Sequence, residues 1–296
     1  MTAMRSALAS HLDAQPWQHE TGTVQCLGFT FTVRTTDATL GRMIGDLYEP
    51  CATSAAADHR YDVRERRTSG GVRIVVYHDG VRLVTTSSAS IALDHLVWDV
   101  NRRAIDAAER QLLLHAGAVS RNGAAVLFPA PSGAGKSTLV AGLVQRGFDY
   151  VTDEAVAIDP RDATADAYPK PIALERGSWH LFPTDFDATR YTTLTHYRTA
   201  ASLGGRAVSG RVVPRLVVAP RYVPDGPGAV RSLQRAEAVM RLADQSFNFD
   251  TFGPGRLHLL ARVVEGCACY ELDVHDLGDA ATTVRTLLDD AVSSAR

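Results

Sequence analysis

Nine consecutive residues, Ala130-Pro131-Ser132-Gly133-Ala134-Gly135-Lys136-Ser137-Thr138, have the types and spacing of a phosphate-binding loop. Gly133 and Gly135 allow the backbone to turn so that successive N–H groups face an anion. The apolar run from Ala124 to Phe128 predicts a buried strand ahead of the loop. Behind it, Leu139, Val140 and Leu143 supply the apolar face of a helix whose positive N-terminal end adds to the attraction. In such a loop Lys136 reaches the β- and γ-phosphates, and Ser137 offers a hydroxyl to Mg²⁺. Ser132, Gly133, Ala134, Gly135, Lys136, Ser137 and Thr138 are therefore the candidate nucleotide-binding residues. Ala130 stands where the motif usually has its first glycine, a tolerable exchange if the position needs no positive φ.

Gly147 is the expected C-cap of that helix, and Phe148 to Val151 predict a short strand ending in Thr152-Asp153-Glu154. Asp153 lies 17 residues beyond Lys136, enough for about three helical turns and one strand running back to the phosphate edge. Such a strand delivers carboxylates beside the γ-phosphate, although acidic residues at a strand end also begin ordinary solvated turns.

Further pieces extend the pattern. Leu112-Leu113-Leu114-His115-Ala116-Gly117 precedes the turn Arg121-Asn122-Gly123, and Tyr168-Pro169-Lys170-Pro171-Ile172 follows the acidic pair. The ordered set of His115-Ala-Gly, the lysine loop, Asp153-Glu154 and Lys170-Pro171 resembles the HPr kinase/phosphorylase superfamily, in particular its HPr-kinase-like relatives of actinobacteria and peptide-modifying gene clusters. The likeness covers residues 110 to 180 and is only general beyond Pro214.

That resemblance implies an α/β fold with a P-loop nucleotide-binding core of the HPr kinase/phosphoenolpyruvate carboxykinase type. It implies ATP and Mg²⁺ as cofactors and phosphoryl transfer to a hydroxyl, with a serine of a peptide or small protein as first-choice acceptor and a small-molecule hydroxyl as the alternative. Asp153 takes the place of the general base, Glu154 that of a second acidic residue assisting the metal, and His115 that of a histidine near the phosphates. Leu174-Glu175-Arg176-Gly177 departs from the HPr enzymes' signature by bringing Glu and Arg one residue closer together, which leaves Glu175 a candidate metal ligand and puts HPr itself in doubt as substrate. The resemblance also admits a homo-oligomer. A non-catalytic nucleotide-dependent adaptor on the same core is the reading from another class. Lys170 has two readings, a phosphate contact or a solvated loop cation, and His115 is alternatively a hydrogen-bonded core residue.

Elements that would position these groups follow from hydropathy. Val24 to Thr35 and Gly71 to Thr86 predict strands, the second a hairpin turning at His78-Asp79-Gly80, with a helix near Leu40 to Tyr48 between them. Ile91 to Leu114, including Trp98, Ile105 and Leu112, has helical spacing and core-type residues. We expect an N-terminal α+β module over residues 1–95 and a nucleotide-binding catalytic domain over 96–296. Arg161 to Ala167 predicts a polar loop. Arg190 to Arg211 predicts a flexible basic segment, either a lid or acceptor site, or an ordinary loop. Val212 to Ala219 and Cys269 to Val274 predict strands; Ala236 to Ala243, Leu257 to Val264 and the stretch from Val284 predict helices.

Composition narrows the class. The chain has 296 residues, 45% hydrophobic and 22% charged, enough to bury a substantial core. Its net charge of −2 gives no electrostatic footprint for nucleic acid. No run of about 18 apolar residues predicts a membrane span, and Arg5, Ser6, Ser10 and His11 interrupt any signal-peptide pattern, so a cytoplasmic location is expected. Cys26, Cys51, Cys267 and Cys269 are too scattered for a disulfide framework or a C-x-x-C zinc cage; apolar packing is the expected role of Cys267 and Cys269.

Overall fold

A computed structural model describes residues 16–183, 194–224, 226 and 228–294 of the chain. It is a mixed α/β protein that divides into two compact units, one of residues 1–107 and 173–197, the other of 108–172 and 198–296. Both are discontinuous in sequence. The stretch from Met1 to Leu12, and Arg190 with its neighbours to residue 193, lie outside the described residues.

In the first unit, β1 (His19–Glu20), β3 (Phe29–Thr35), β4 (His59–Thr68), β5 (Gly71–His78) and β6 (Val81–Thr86) pair in that order, with β2 (Val24–Cys26) beside β3. The β3–β4 pair is parallel and the others are antiparallel. The expected strand over Val24 to Thr35 is two strands, broken where Leu27 takes a φ of 52° at a Leu-Gly turn. The hairpin at Asp79-Gly80 forms as predicted, both residues left-handed with φ of 46° and 73°, the geometry favoured by a two-residue hairpin turn.

Helix α1 (Ala38–Tyr48) begins at Asp37, whose carboxylate accepts from the Thr39 and Leu40 N–H groups at 2.9 and 3.2 Å. Helix α2 (Ala89–Ala107) packs Leu93, Leu96, Val97 and Val100 inward. The helix does not run on to Leu114 as the apolar spacing predicts. The helix ends at Ala107, Leu112 opens a strand, and Trp98 is 62% exposed beneath the Arg102 guanidinium rather than in the core. A run of three leucines fits a buried strand as well as a buried helix, and burial within a sheet decides between them.

The second unit is built on β7 (Leu112–Arg121), β8 (Ala124–Pro129), β9 (Asp149–Thr152), β10 (Ala155–Ile158) and β11 (Ala165–Asp166). Two further strands, β12 (Ile172–Glu175) and β13 (Thr195–Arg198), pair with each other where the chain passes between units. The sheet continues with β14 (Arg211–Tyr222), β15 (Val230–Ser232) and β16 (Ala268–Val274), in the order β11-β10-β7-β8-β14-β16-β15 with β9 against β7. β8, β14 and β16 run parallel, and β11 also pairs with β14, joining β10, β7, β8 and β14 into a ring.

Helices α3 (Lys136–Val144), α4 (Arg235–Asp244), α5 (Arg256–Glu265) and α6 (Leu277–Ser294) complete this unit. Its core joins Leu112, Leu114, Leu127, Val151, Val156, Val217, Leu242 and Leu260. Cys269 is buried and Cys267 half-buried beside it; burial raises both thiols, Cys269 to about 11, in keeping with packing. The polar loop expected over Arg161 to Ala167 contains β11. Among the described residues no helix is long and apolar enough to cross a membrane.

Candidate functional site

The strand, loop and helix around Lys136 follow from local chemistry. β7 and β8 turn at Asn122-Gly123, both left-handed, and their pairing leads β8 straight into the loop at Ala130. Gly133 and Gly135 adopt φ of 77° and 83°, a region closed to most side chains. Ala130 is absent from the positive-φ residues, so the missing glycine costs no backbone strain. Gly135 is the N-cap of α3, which begins at Lys136, and the first-turn N–H groups of such a helix have no intrahelical partner. The C-cap of α3 is Gln145 rather than the expected Gly147, which follows two residues later with φ of 89° and turns the chain so that the Phe148 N–H reaches the Leu143 carbonyl.

Gly117 explains the close seating of this helix. A Cβ on Gly117 would lie 2.7 Å from Val140 Cγ2 and 3.8 Å from Lys136 Cβ. The glycine of the His-Ala-Gly segment therefore lets α3 press against β7. Sequence reading singled out the segment but not this steric reason.

The acidic pair sits where β7 changes partners. β9 ends with Thr152 opposite Ala118, and β10 begins with Ala155 opposite His115, so Asp153 and Glu154 fall beside Ala116 and Gly117. The Ala116 N–H donates to the Glu154 carbonyl at 3.2 Å. Thr152 Oγ1 accepts from the N–H groups of Glu154 and Ala155, a side-chain turn that shapes the corner.

Four candidate residues thereby share one electrostatic environment. Lys136 is only 6% exposed and its ammonium donates to the carbonyls of Ala130 and Pro131 at 2.7 and 2.9 Å. Burial lowers its pKa, and the charges of Glu154 and Asp153 oppose that shift. His115 Nε2 lies 3.9 Å from Glu154 Oε1, and its ring is 5.1 Å from that of Phe247. Burial first, and the Lys136 charge second, bring His115 down to about 4, so its imidazole is neutral at neutral pH.

Asp153 is 2% exposed and Lys170 4% exposed, and Lys170 Nζ lies 2.7 Å from Asp153 Oδ1. The solvated-cation reading of Lys170 is thus overturned: its ammonium is buried against a carboxylate. Tyr150, also buried, places its hydroxyl 2.8 Å from the same Oδ1 and 3.0 Å from the Lys170 carbonyl. Sequence reading missed Tyr150. The available signal was a tyrosine inside an apolar strand, whose hydroxyl needs a partner when buried.

The remaining candidates are less enclosed. Ser132, Gly133 and Gly135 are exposed along the loop; Ala134, Ser137, Thr138 and Glu154 are half-buried. Glu175 is exposed at the end of β12 and belongs to the first unit, whereas Ser137 and Glu154 belong to the second. The basic segment is engaged where described. Arg211 reaches Asp159, Asp162 and Asp166 at 2.8, 3.3 and 2.9 Å, while the backbone around Arg206 and Val208 bonds to both sides of Tyr150.

No family model matches the chain, and no curated protein matches it.

Proposed function

We propose that the second unit is an ATP- and Mg²⁺-dependent kinase of HPr-kinase-like type, transferring the γ-phosphoryl group to a hydroxyl, with a serine of a peptide or small protein as acceptor. The observation that carries this reading is the buried Lys136 ammonium at the start of α3, held by its own loop's carbonyls and electrostatically coupled to His115, Asp153 and Glu154. A buried ammonium whose hydrogen bonds go to neutral carbonyls gains much from anionic oxygens, which make stronger charge-assisted hydrogen bonds. The orphan N–H groups of the first turn of α3 point the same way.

The donor set also fits a hard divalent cation. Ser137 and the half-buried Glu154 offer a hydroxyl and a carboxylate, the oxygen chemistry Mg²⁺ prefers; Glu175, in the other unit, is not counted in this set. Bound Mg²⁺ supplies neutralisation of charge on the phosphates. Asp153 then orients the acceptor hydroxyl and takes its proton as the new O–P bond forms and the bond to the leaving ADP breaks. Lys170 and Tyr150 fix the Asp153 carboxylate in place. His115, neutral, supplies a hydrogen bond rather than a charge.

A nucleotide-dependent adaptor is the second reading. One observation favours it, the engagement of Asp153 Oδ1 by both Lys170 and Tyr150, which would equally suit a purely structural carboxylate. Incubation of the protein with ATP, Mg²⁺ and serine peptides, neighbouring gene products or small-molecule alcohols, read by intact-mass spectrometry, separates the two. A kinase adds one phosphoryl group. Asp153→Asn, checked for folding, then keeps ATP affinity within about tenfold and lowers transfer by about 100-fold or more, whereas Lys136→Ala loses affinity in calorimetric titration. Transfer by the Asn variant at the wild-type rate would sink the proposed role of Asp153; equal ATP affinity after Lys136→Ala would remove the phosphate site itself.

A further inference from the structure

A second cluster of chemistry-bearing side chains lies in the first unit. His59 opens β4, His78 closes β5, and Asp79 occupies the left-handed first position of the turn to β6. The Asp79 N–H donates to the Arg60 carbonyl, and Asp79 Oδ1 accepts from the Arg60 N–H, both at 2.9 Å. These two bonds aim the other carboxylate oxygen at both imidazoles. Asp79 Oδ2 lies 2.7 Å from His59 Nδ1 and 3.6 Å from His78 Nε2. One donor atom from each residue lies within 4.8 Å of the other two.

An ordinary hydrogen bond accounts for His59 and Asp79, but not for His78. That residue is 5% exposed, and its Nε2 is buried without a hydrogen-bond partner although it faces the same oxygen. Such a buried, unsatisfied ring nitrogen carries a desolvation cost that calls for an explanation. At 3.6 Å the separation is too long for a hydrogen bond. It is close to the roughly 3.3 Å between two ligands of a tetrahedral ion bound at about 2.0 Å.

We propose that His59, His78 and Asp79 form a three-ligand site for a divalent transition-metal ion, with Zn²⁺ the best fit. Two imidazoles and a carboxylate suit zinc and its neighbours better than Mg²⁺ or Ca²⁺, which take all-oxygen sets. The ion replaces the proton shared by His59 and Asp79 and satisfies His78 Nε2. Phe29, stacked 4.8 Å from the His59 ring, and Tyr61, 4.8 Å from that of His78, back the imidazoles with aromatic surface. The His59 and Asp79 side chains are partly exposed, so the fourth coordination position faces solvent and takes water or an incoming anion.

Metal-depleted full-length protein titrated with Co²⁺ and then Zn²⁺, followed by calorimetry and visible absorption, tests the site. One Co²⁺ is expected to bind with the d–d bands of a low-coordinate nitrogen and oxygen site, to be displaced by Zn²⁺, and to be unaffected by Lys136→Ala. Asp79→Asn, which keeps a residue tolerant of positive φ, and His59→Gln should each weaken binding by at least about 100-fold; His78→Gln should do the same if it folds. Absence of binding, wild-type affinity in both Asp79→Asn and His59→Gln, or thiolate-to-cobalt charge-transfer bands that place the ion on cysteine would each overturn the proposal.

Discussion

At Asp153 a carboxylate and an ammonium are buried together, and that pairing sets what either residue can do. Taking both charges out of water is costly, and the cost is offset by the 2.7 Å contact between them and the Tyr150 hydroxyl at the same oxygen. Removing one partner leaves the other buried without its opposite charge. Lys170→Met should therefore lower unfolding free energy by about 3–5 kcal/mol in urea titration, and adding Asp153→Asn should recover part of the loss. Strict additivity of the two substitutions would show that the pair is not coupled. The types and order of Lys136, Asp153 and Glu154 were legible in the sequence because a lysine loop and an acidic strand end are local patterns, whereas His115 stood out only through the family resemblance. The partner of Asp153 was not. Lys170 stands between two prolines, a context that reads as an exposed loop, and only the tertiary fold brings it under the Tyr150 strand.

Between the residues and their chemistry stands the contact of α3 with β7. Gly117 permits that contact, since a side chain there would meet Val140 at 2.7 Å from its first carbon. Gly117→Ala should destabilise the protein by about 1–3 kcal/mol, as overpacking does. Because Lys136 sits on the same helix turn, the displaced helix should also bind ATP more weakly. Urea midpoints and calorimetric titration measure the two effects, and wild-type values in both would show that the helix tolerates a methyl at this crossing. Elements with a clean signal were legible: the Asp-Gly hairpin, α1 behind Asp37, and the strand, loop and helix around Lys136. The missed elements have different causes. β4 carries Arg60, Asp62, Arg64, Glu65, Arg66 and Arg67, which hide its strand pattern, yet Asp62 and Arg34 are buried as an ion pair at 2.8 Å across β3 and β4. β7 begins inside a leucine run whose period is ambiguous.

Across the whole molecule, compactness follows a division that no linear reading of composition marks. The sequence suggested independent parts at 1–95 and 96–296, whereas the first compact unit extends through α2 to Ala107 and takes in 173–197. A fragment beginning at residue 96 would keep most of α2 without β2, β3, β5 and β6, the strands on which that helix packs. It would also lose Asp94, which accepts a 2.7 Å hydrogen bond from Tyr197. Exposing Leu96, Val97 and Val100 alone forfeits about 1.5–3 kcal/mol per side chain, a large share of the roughly 5–15 kcal/mol that holds an ordinary domain together. The 96–296 fragment should therefore aggregate, or bind a hydrophobic dye and melt without a sharp transition. A polypeptide joining 108–172 to 198–296 through a short flexible linker removes those orphaned surfaces and should melt more cooperatively. Differential scanning calorimetry with size-exclusion chromatography of both compares them directly. A sharp transition and monodisperse elution for 96–296 would make residue 95 an independent folding boundary, and would mean that α2 and the 173–197 segment find other partners once the N-terminal strands are gone.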